Sequence, residues 1–237
     1  MDSPGGSFID KHIALSSPAH LFLLSPGGIH LGSGANFVNT PNLTLSTANR
    51  LRFPGGVFDV HDTSIDQLAA LGGAPLPGAL GLHRSPDLDG GNGLSNQIKL
   101  EGIDIRIDQS LLVDAPNGGV KVIGSDLSVG DSAAKGGTLT LTGEIVDVDG
   151  SSLLDVAGAS GGGKIHLGGS WQNSDPSVRE AVKTTVASGA VLDASATQSG
   201  DGGEIVAWSD IKNPNSITDV QGSFFAKGES VLVREEE

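Results

Sequence analysis

The chain has 237 residues, 37% of them hydrophobic, enough for one core or a short stack of repeats, and having no cysteine it has no disulfide, thiolate metal ligand or cysteine nucleophile. A formal net charge of −14 and a pI of about 4.6 set an acidic surface against nucleic-acid phosphates and anionic membranes. No apolar run reaches the ~18 residues of a membrane span, and acidity of this kind keeps a surface protein soluble.

In chain order, the opening MDSPGGSFIDKH lacks the basic and apolar regions of a signal peptide, and Glu235 to Glu237 follow a strand-like 230–233 abruptly. The expectation is a fragment or a truncated reading frame. HLFLL at His20 to Leu24 reads as a strand, SPGG at Ser25 to Gly28 as a turn, and Ile29 to Leu31 as the next strand. Short strands continue at 35–38, 43–45 and 47–53 before Pro54-Gly55-Gly56, so 1–59 reads as coils of a solenoid. Residues 60–97 differ. Ile65, Leu68 and Leu71 have helical spacing, a Gly and Pro cluster follows, and Asp87 to Leu94 is a polar loop, which together predict an excursion. Alternation resumes at Ile98 and runs to Val233, broken only by an insertion at about 170–183, where Asp175 or a nearby Ser is placed to cap one short helix.

Gly-Gly followed by an alternating run recurs as GGIHLG, GGVKVIG, GGTLTLTG, GGKIHLGG and GGEIVAW. Each copy predicts a tight corner, where glycine tolerates positive φ, and then a short strand. Gly119, Gly137, Gly163 and Gly203 fit one-coil steps once the insertion is set aside. Thr138 to Thr142, Glu144 to Val148 and Ser152 to Val156 give three strands per coil, hence a triangular section. The scarcity of aromatics suits a narrow bore filled by aliphatic ladders. The predicted fold is all-β: a parallel β-helix of three short strands per coil, with loop or short-helix insertions.

HLFLLSPGGIHLGSGANF at His20 to Phe37, with Leu45-Ser46-Thr47-Ala48-Asn49, resembles the later part of the secretion domain of filamentous-haemagglutinin-type exoproteins. The matching positions are Leu21 to Leu24, the turn Ser25, Pro26, Gly27, Gly28 and Ile29, then Leu31-Gly32 and Ser46-Thr47-Ala48. The remainder, with phrases such as Leu192-Asp193-Ala194-Ser195, is similar to the shaft of those proteins. The resemblance implies a right-handed parallel β-helix carried across the outer membrane by a two-partner transporter and displayed or released outside the cell. Ser25 and Gly27 stand where the family turn has asparagines, but Pro26 presets φ and the glycines still allow the corner.

Catalysis would need clustered carboxylates. The candidates are Asp104, Asp108, Asp147, Asp149, Asp155, Asp193 and Asp201, with Asp147 and Asp149 on one side of a strand. Asp149 precedes Gly150 and reads as a corner residue. Asp87 to Asn92 has calcium-like oxygens without the distal Glu of an EF-hand, and His12, His20, His30, His61, His83 and His166 show no zinc spacing. His30 and His166 hold equivalent places in their repeats and are expected to point outward. No nucleophile elbow or phosphate loop occurs, and Asn42-Leu43-Thr44 reads as a turn. Trp171 is a candidate contact residue for a sugar or a partner surface. The reading is a secreted, adhesin-like shaft and secretion module. It is not an enzyme, uses no cofactor or metal, and binds no nucleic acid. Its partners are the outer-membrane transporter, a surface glycan or protein, and its own exposed end coils. A polysaccharide-lyase-like enzyme and a non-secreted gene remnant are the alternatives.

Overall fold

The structure, a computed structural model, describes residues 5–61, 75, 80, 81 and 96–228. Its strands fall into three columns. Face A stacks β3 (His20–Leu24), β6 (Asn42–Ser46), the first halves of β12 (Ser110–Ile123) and β14 (Thr138–Val148), β16 (Lys164–Leu167) and β19 (Glu204–Ala207). Face B stacks β1 (Ser7–Ile9), β4 (Ile29–Leu31), β10 (Ile98–Glu101), the second halves of β12 and β14, β17 (Lys183–Val186) and β20 (Ile217–Val220). Face C holds β2 (His12–Ala14), β5 (Asn36–Val38), β11 (Asp104–Ile107), β13 (Asp126–Val129), β15 (Leu153–Asp155), β18 (Val191–Asp193) and β21 (Ser223–Phe225).

Hydrogen-bonded pairing within each column is parallel, and the chain visits A, B and C in turn. This is a parallel β-helix with three strands per coil. Thr138 to Val148 is one strand rather than two, because it passes the A–B corner without losing its partners, as β12 does with a bulge between Ala115 and Gly119. Alternation fills the bore. Leu43, Leu111, Leu139 and Ile165 stack on face A, Ile29, Ile98, Val120 and Val146 on face B, and Ile105, Leu127, Leu154 and Leu192 on face C, all buried. Thr184 continues the face B ladder under the insertions, and its hydroxyl donates to the Trp208 carbonyl at 2.8 Å.

The Gly-Gly pairs occupy two different corners. Gly28 and Gly119 immediately precede the in-register face B residues Ile29 and Val120, whereas Gly137, Gly163 and Gly203 precede the in-register face A residues Thr138, Lys164 and Glu204. Gly119 to Gly137 is therefore not one coil. Nor is positive φ the general reason for the pairs. Of the ten glycines only Gly28 has it, at 119°, and the pairs at 136–137, 162–163 and 202–203 are required instead by backbone of the neighbouring coils lying where a Cβ would be, the following coil for the first glycine and the preceding coil for the second.

Residues 50–59, read as coil in the sequence, leave the stack. β7 (Arg50–Phe53) and β8 (Gly56–Asp59) form an antiparallel hairpin joined by β9 (Leu80–Gly81). The Pro54-Gly55 turn reverses the chain, and Leu51, Phe53, Phe58 and Val60 pack outside the bore on the outward-facing Phe22 and Leu24. The helix-like 64–71, the loop 87–94 and His83 lie outside the described residues. In the insertion, the short helix is a 3₁₀ turn at Trp171–Asn173, while Asp175 closes a simple turn by accepting the Ser177 amide at 2.8 Å. Ser177 Oγ bonds the same carboxylate oxygen, satisfying it without a helix.

Candidate functional site

The turn at Ser25 to Ile29 is built as a joint between coils. Gly28 N–H donates to the Ser25 carbonyl at 2.9 Å, closing the turn, and Ser25 N–H donates to Ser46 of the next coil at 2.9 Å. On the other side the Ser7 and Ser25 hydroxyls lie 2.9 Å apart, and Ser7 N–H donates to the Gly28 carbonyl. Ser25, Pro26, Gly27, Gly28 and Ile29 are all buried. In the folded state this turn serves packing, and serine and glycine suffice because backbone groups close it and join it to both neighbouring coils, the Ser7–Ser25 hydroxyl contact adding to them.

Three segments leave from the same A–B corner, beginning after Ser46, Leu167 and Ala207. The second folds back along the stack as a strap. Arg179 Nε donates to Asp114 Oδ1 at 3.0 Å, and Thr142 Oγ1 donates to the Arg179 carbonyl at 2.5 Å, so the strap spans two lower coils. Asp114 has a side chain 4% exposed, and burial pushes its carboxyl up against the opposing pull of Arg179 and Ser46. The strap's base is fixed where Ser170 Oγ donates to Glu180 Oε1 at 2.7 Å. Asn173 Nδ2 donates to Asp210 Oδ1 at 2.7 Å, tying the second segment to the third. Trp171 sits on this scaffold 57% exposed, its ring 5.0 Å from that of Trp208 and tilted by 50°.

The carboxylates are dispersed by the fold. Asp155 and Asp193 stack in register on face C, but each accepts the amide two residues on, Ala157 and Ser195, at 2.8 Å. Burial, then Asp193 and Asp126, raise Asp155 against the Ala157 bond and Arg106. These oxygens close corners. Asp104 pairs loosely with Arg106 at 3.6 Å, and Asp147 faces outward on face B between Lys121 and Thr185. Asp149 leaves that strand and binds the Gly124 amide, the Ser151 amide and both the Ser151 and Ser152 hydroxyls. Partial burial would raise its carboxyl, but these bonds hold it below the usual range. A depressed carboxyl contributes stability above the unfolded value of about 3.9 and loses it as pH falls through the folded value. Asp149→Ala is thus expected to cost on the order of 1 kcal/mol at pH 7, with the difference from wild type shrinking as pH falls below about 3.9 in denaturant titrations. A pH-independent difference would refute the assignment.

His30 and His166 both point outward, as expected, but from faces B and A respectively. His166 Nε2 lies 2.8 Å from Glu204 Oε1, and that bond, against partial burial and with Lys164 nearby, holds the Glu204 carboxyl low. Asn42, in the sequon, has its amide bonded to Gln109 and its carbonyl to Ser110, so it is a ladder residue. The stacked Gly-Gly pairs floor an open groove of about 590 Å³ edged by Asp108, Lys135, Lys164 and Glu204. Among the described residues no three His, Cys, Asp or Glu side chains converge to hold a metal ion. Asp201 lends its carbonyl to the Gly162 amide, and Asp87 to Asn92 lie outside the described residues.

No family model and no curated protein matches the chain. Among solved structures it is similar to the HMW1 secretion domain from Haemophilus influenzae, at 15% identity over 85% of this chain and 78% of that one, with a TM-score of 0.32. A likeness that loose carries no argument for fold or function, and the parallel β-helix stands on its own strand pairing. The sequence pointed to Trp171 but not to Trp208 beside it or to the Arg179–Asp114 clasp. A lone arginine in a polar insertion and a lone aspartate ending an aliphatic strand were their only signals.

Proposed function

We propose that this chain is the secretion module and shaft of a bacterial exoprotein of the two-partner, filamentous-haemagglutinin kind, carried outward by an outer-membrane transporter and displayed or released as an adhesin-like rod. The observation that carries the reading is the coincidence of the HLFLLSPGGIHLG phrase with a buried joint that bonds neighbouring coils through Ser7, Ser25 and Ser46. A stack of this kind grows by adding one coil to the last, burying an aliphatic ladder at each step, so emergence and folding proceed together. The described stack offers such ladders from β1 to β21. The proposed mechanism is geometric, with side chains serving as corner locks and bore filling rather than as reactants.

The test is protease shaving of intact native cells, with mass spectrometry of released peptides and of the medium. Peptides from 98–228 are expected outside the cell and are expected to disappear from it when the cognate transporter gene is deleted. Peptides confined to the cytoplasm would overturn the proposal.

A further inference from the structure

The chain has two tryptophans and no tyrosine, and both tryptophans lie together on the strapped A–B corner rather than in the bore. Trp171 leaves more than half its surface open, in a segment bonded on both sides through Ser170 and Asn173. Gln172 and Asn173, which follow it, both adopt left-handed backbone, with φ of 51° and 55°. Two consecutive non-glycine residues in that region store strain, which persists only where surrounding bonds impose it. Here the Asn173–Asp210 bond, the Ser170–Glu180 bond and the Arg179 clasp impose it. Beneath, the Trp208 indole N–H is buried with no acceptor among the described residues, so only the ring faces of the pair are offered to a ligand.

We propose that the Trp171–Trp208 pair is a binding site for a neutral pyranose sugar of a cell-surface glycan, which lays its C–H face on the Trp171 ring and meets the exposed Gln172 amide at its edge. An open indole face offers apolar area and a π surface at little entropic cost, and a planar amide both donates and accepts toward hydroxyl pairs. Asp175, Glu180 and Asp210 bond Ser170 and Asn173, the near neighbours of Trp171, on a chain of net charge −14, which disfavours sialylated, sulfated or uronic sugars. Two tilted rings make a platform rather than a cage, which disfavours a quaternary ammonium ligand. The inference deepens the exoprotein reading by naming a ligand class, and its test is independent of secretion.

Because the two tryptophans are the chain's dominant near-ultraviolet fluorophores, emission reads this site directly. Purified full-length chain is titrated with lactose and with cellobiose, and with 3′-sialyllactose and phosphocholine as contrasts. A saturable emission change with a neutral disaccharide is expected, with a dissociation constant on the order of 1 mM. Saturation-transfer NMR, which does not need the fluorophore, is expected to show at least about tenfold weaker binding for Trp171→Ala and partial retention for Trp171→Phe. Circular dichroism and melting of both variants should match wild type. No response to either neutral sugar, unchanged binding by a folded Trp171→Ala, or preference for sialyllactose or phosphocholine each overturns the proposal.

Discussion

Gly162→Ala is expected to break the upper stack, whereas Gly119→Ala is expected to leave it nearly intact. A Cβ on Gly162 would fall inside the contact distance of the Ala194 carbonyl oxygen and the Gly203 amide, both backbone atoms of the next coil. Neither can swing aside as a side-chain tip would. Gly162 N–H already donates to Asp201 at 3.0 Å, and Gly203 N–H to Ala194 at 2.6 Å, so separating the coils also breaks the corner's own bonds. Overpacking of flexible cores costs about 1–3 kcal/mol, and here the obstacle is backbone on a fixed spacing, so a loss of at least about 3 kcal/mol is expected.

At Gly119 the same Cβ would sit 3.4 Å from the Ile145 carbonyl and 3.5 Å from its Cβ, ordinary contact, in backbone without positive φ. The change there should stay within about 1 kcal/mol, since alanine also restricts the unfolded chain. Urea unfolding would measure both, and hydrogen exchange would locate the damage in coils β16 to β21 for Gly162→Ala. Equal effects at the two sites would mean that coil contact is not what selects glycine.

That contrast marks how far the sequence reaches. Alternation in HLFLL, IKLE and TLTLT names the strands because a two-residue period has one physical cause, a bore on one side and solvent or a covering layer on the other. The Gly-Gly pairs name corners, but backbone contact and positive φ require the same residue, so sequence distinguishes neither the cause nor the corner. Gly119 and Gly137 therefore looked one coil apart while belonging to different edges of the triangle. TANRLRF failed for a related reason. Arg50-Leu51-Arg52-Phe53 alternates as well as any coil strand, and only the position of Phe22 and Leu24 outside the bore reveals what Leu51 and Phe53 cover. Of the candidate site, Trp171 was legible as an aromatic stranded in a polar insertion. Trp208 looked like the end of a bore strand, and its partner lies 37 positions earlier, within the insertion of the preceding coil.

Arg179→Met is expected to cost about 3–5 kcal/mol at pH 7, more than the loss of any exposed ion pair, because it strands the Asp114 carboxylate in the wall of face A. The two partners are not equivalent. Asp114 has a side chain 4% exposed and Arg179 one 33% exposed, so Asp114→Asn leaves a guanidinium that water still reaches and should cost distinctly less. Asp114→Leu with Arg179→Met, which removes both charges, should recover most of the deficit. The pH dependence carries the sign of a raised carboxyl. Burial lifts Asp114 above its unfolded value, and without the guanidinium it rises further. The charge penalty of the single variant is therefore full above that folded value and shrinks as pH falls through it, the carboxyl being neutral in both states only below about 3.9. Paired denaturant titrations at pH 7 and near pH 4.5 would read it as a shrinking difference from wild type. A deficit that is constant across that range would mean that Arg179 acts through packing and the Thr142 bond alone, and the strap would then be held by its backbone rather than by the charge buried two coils below.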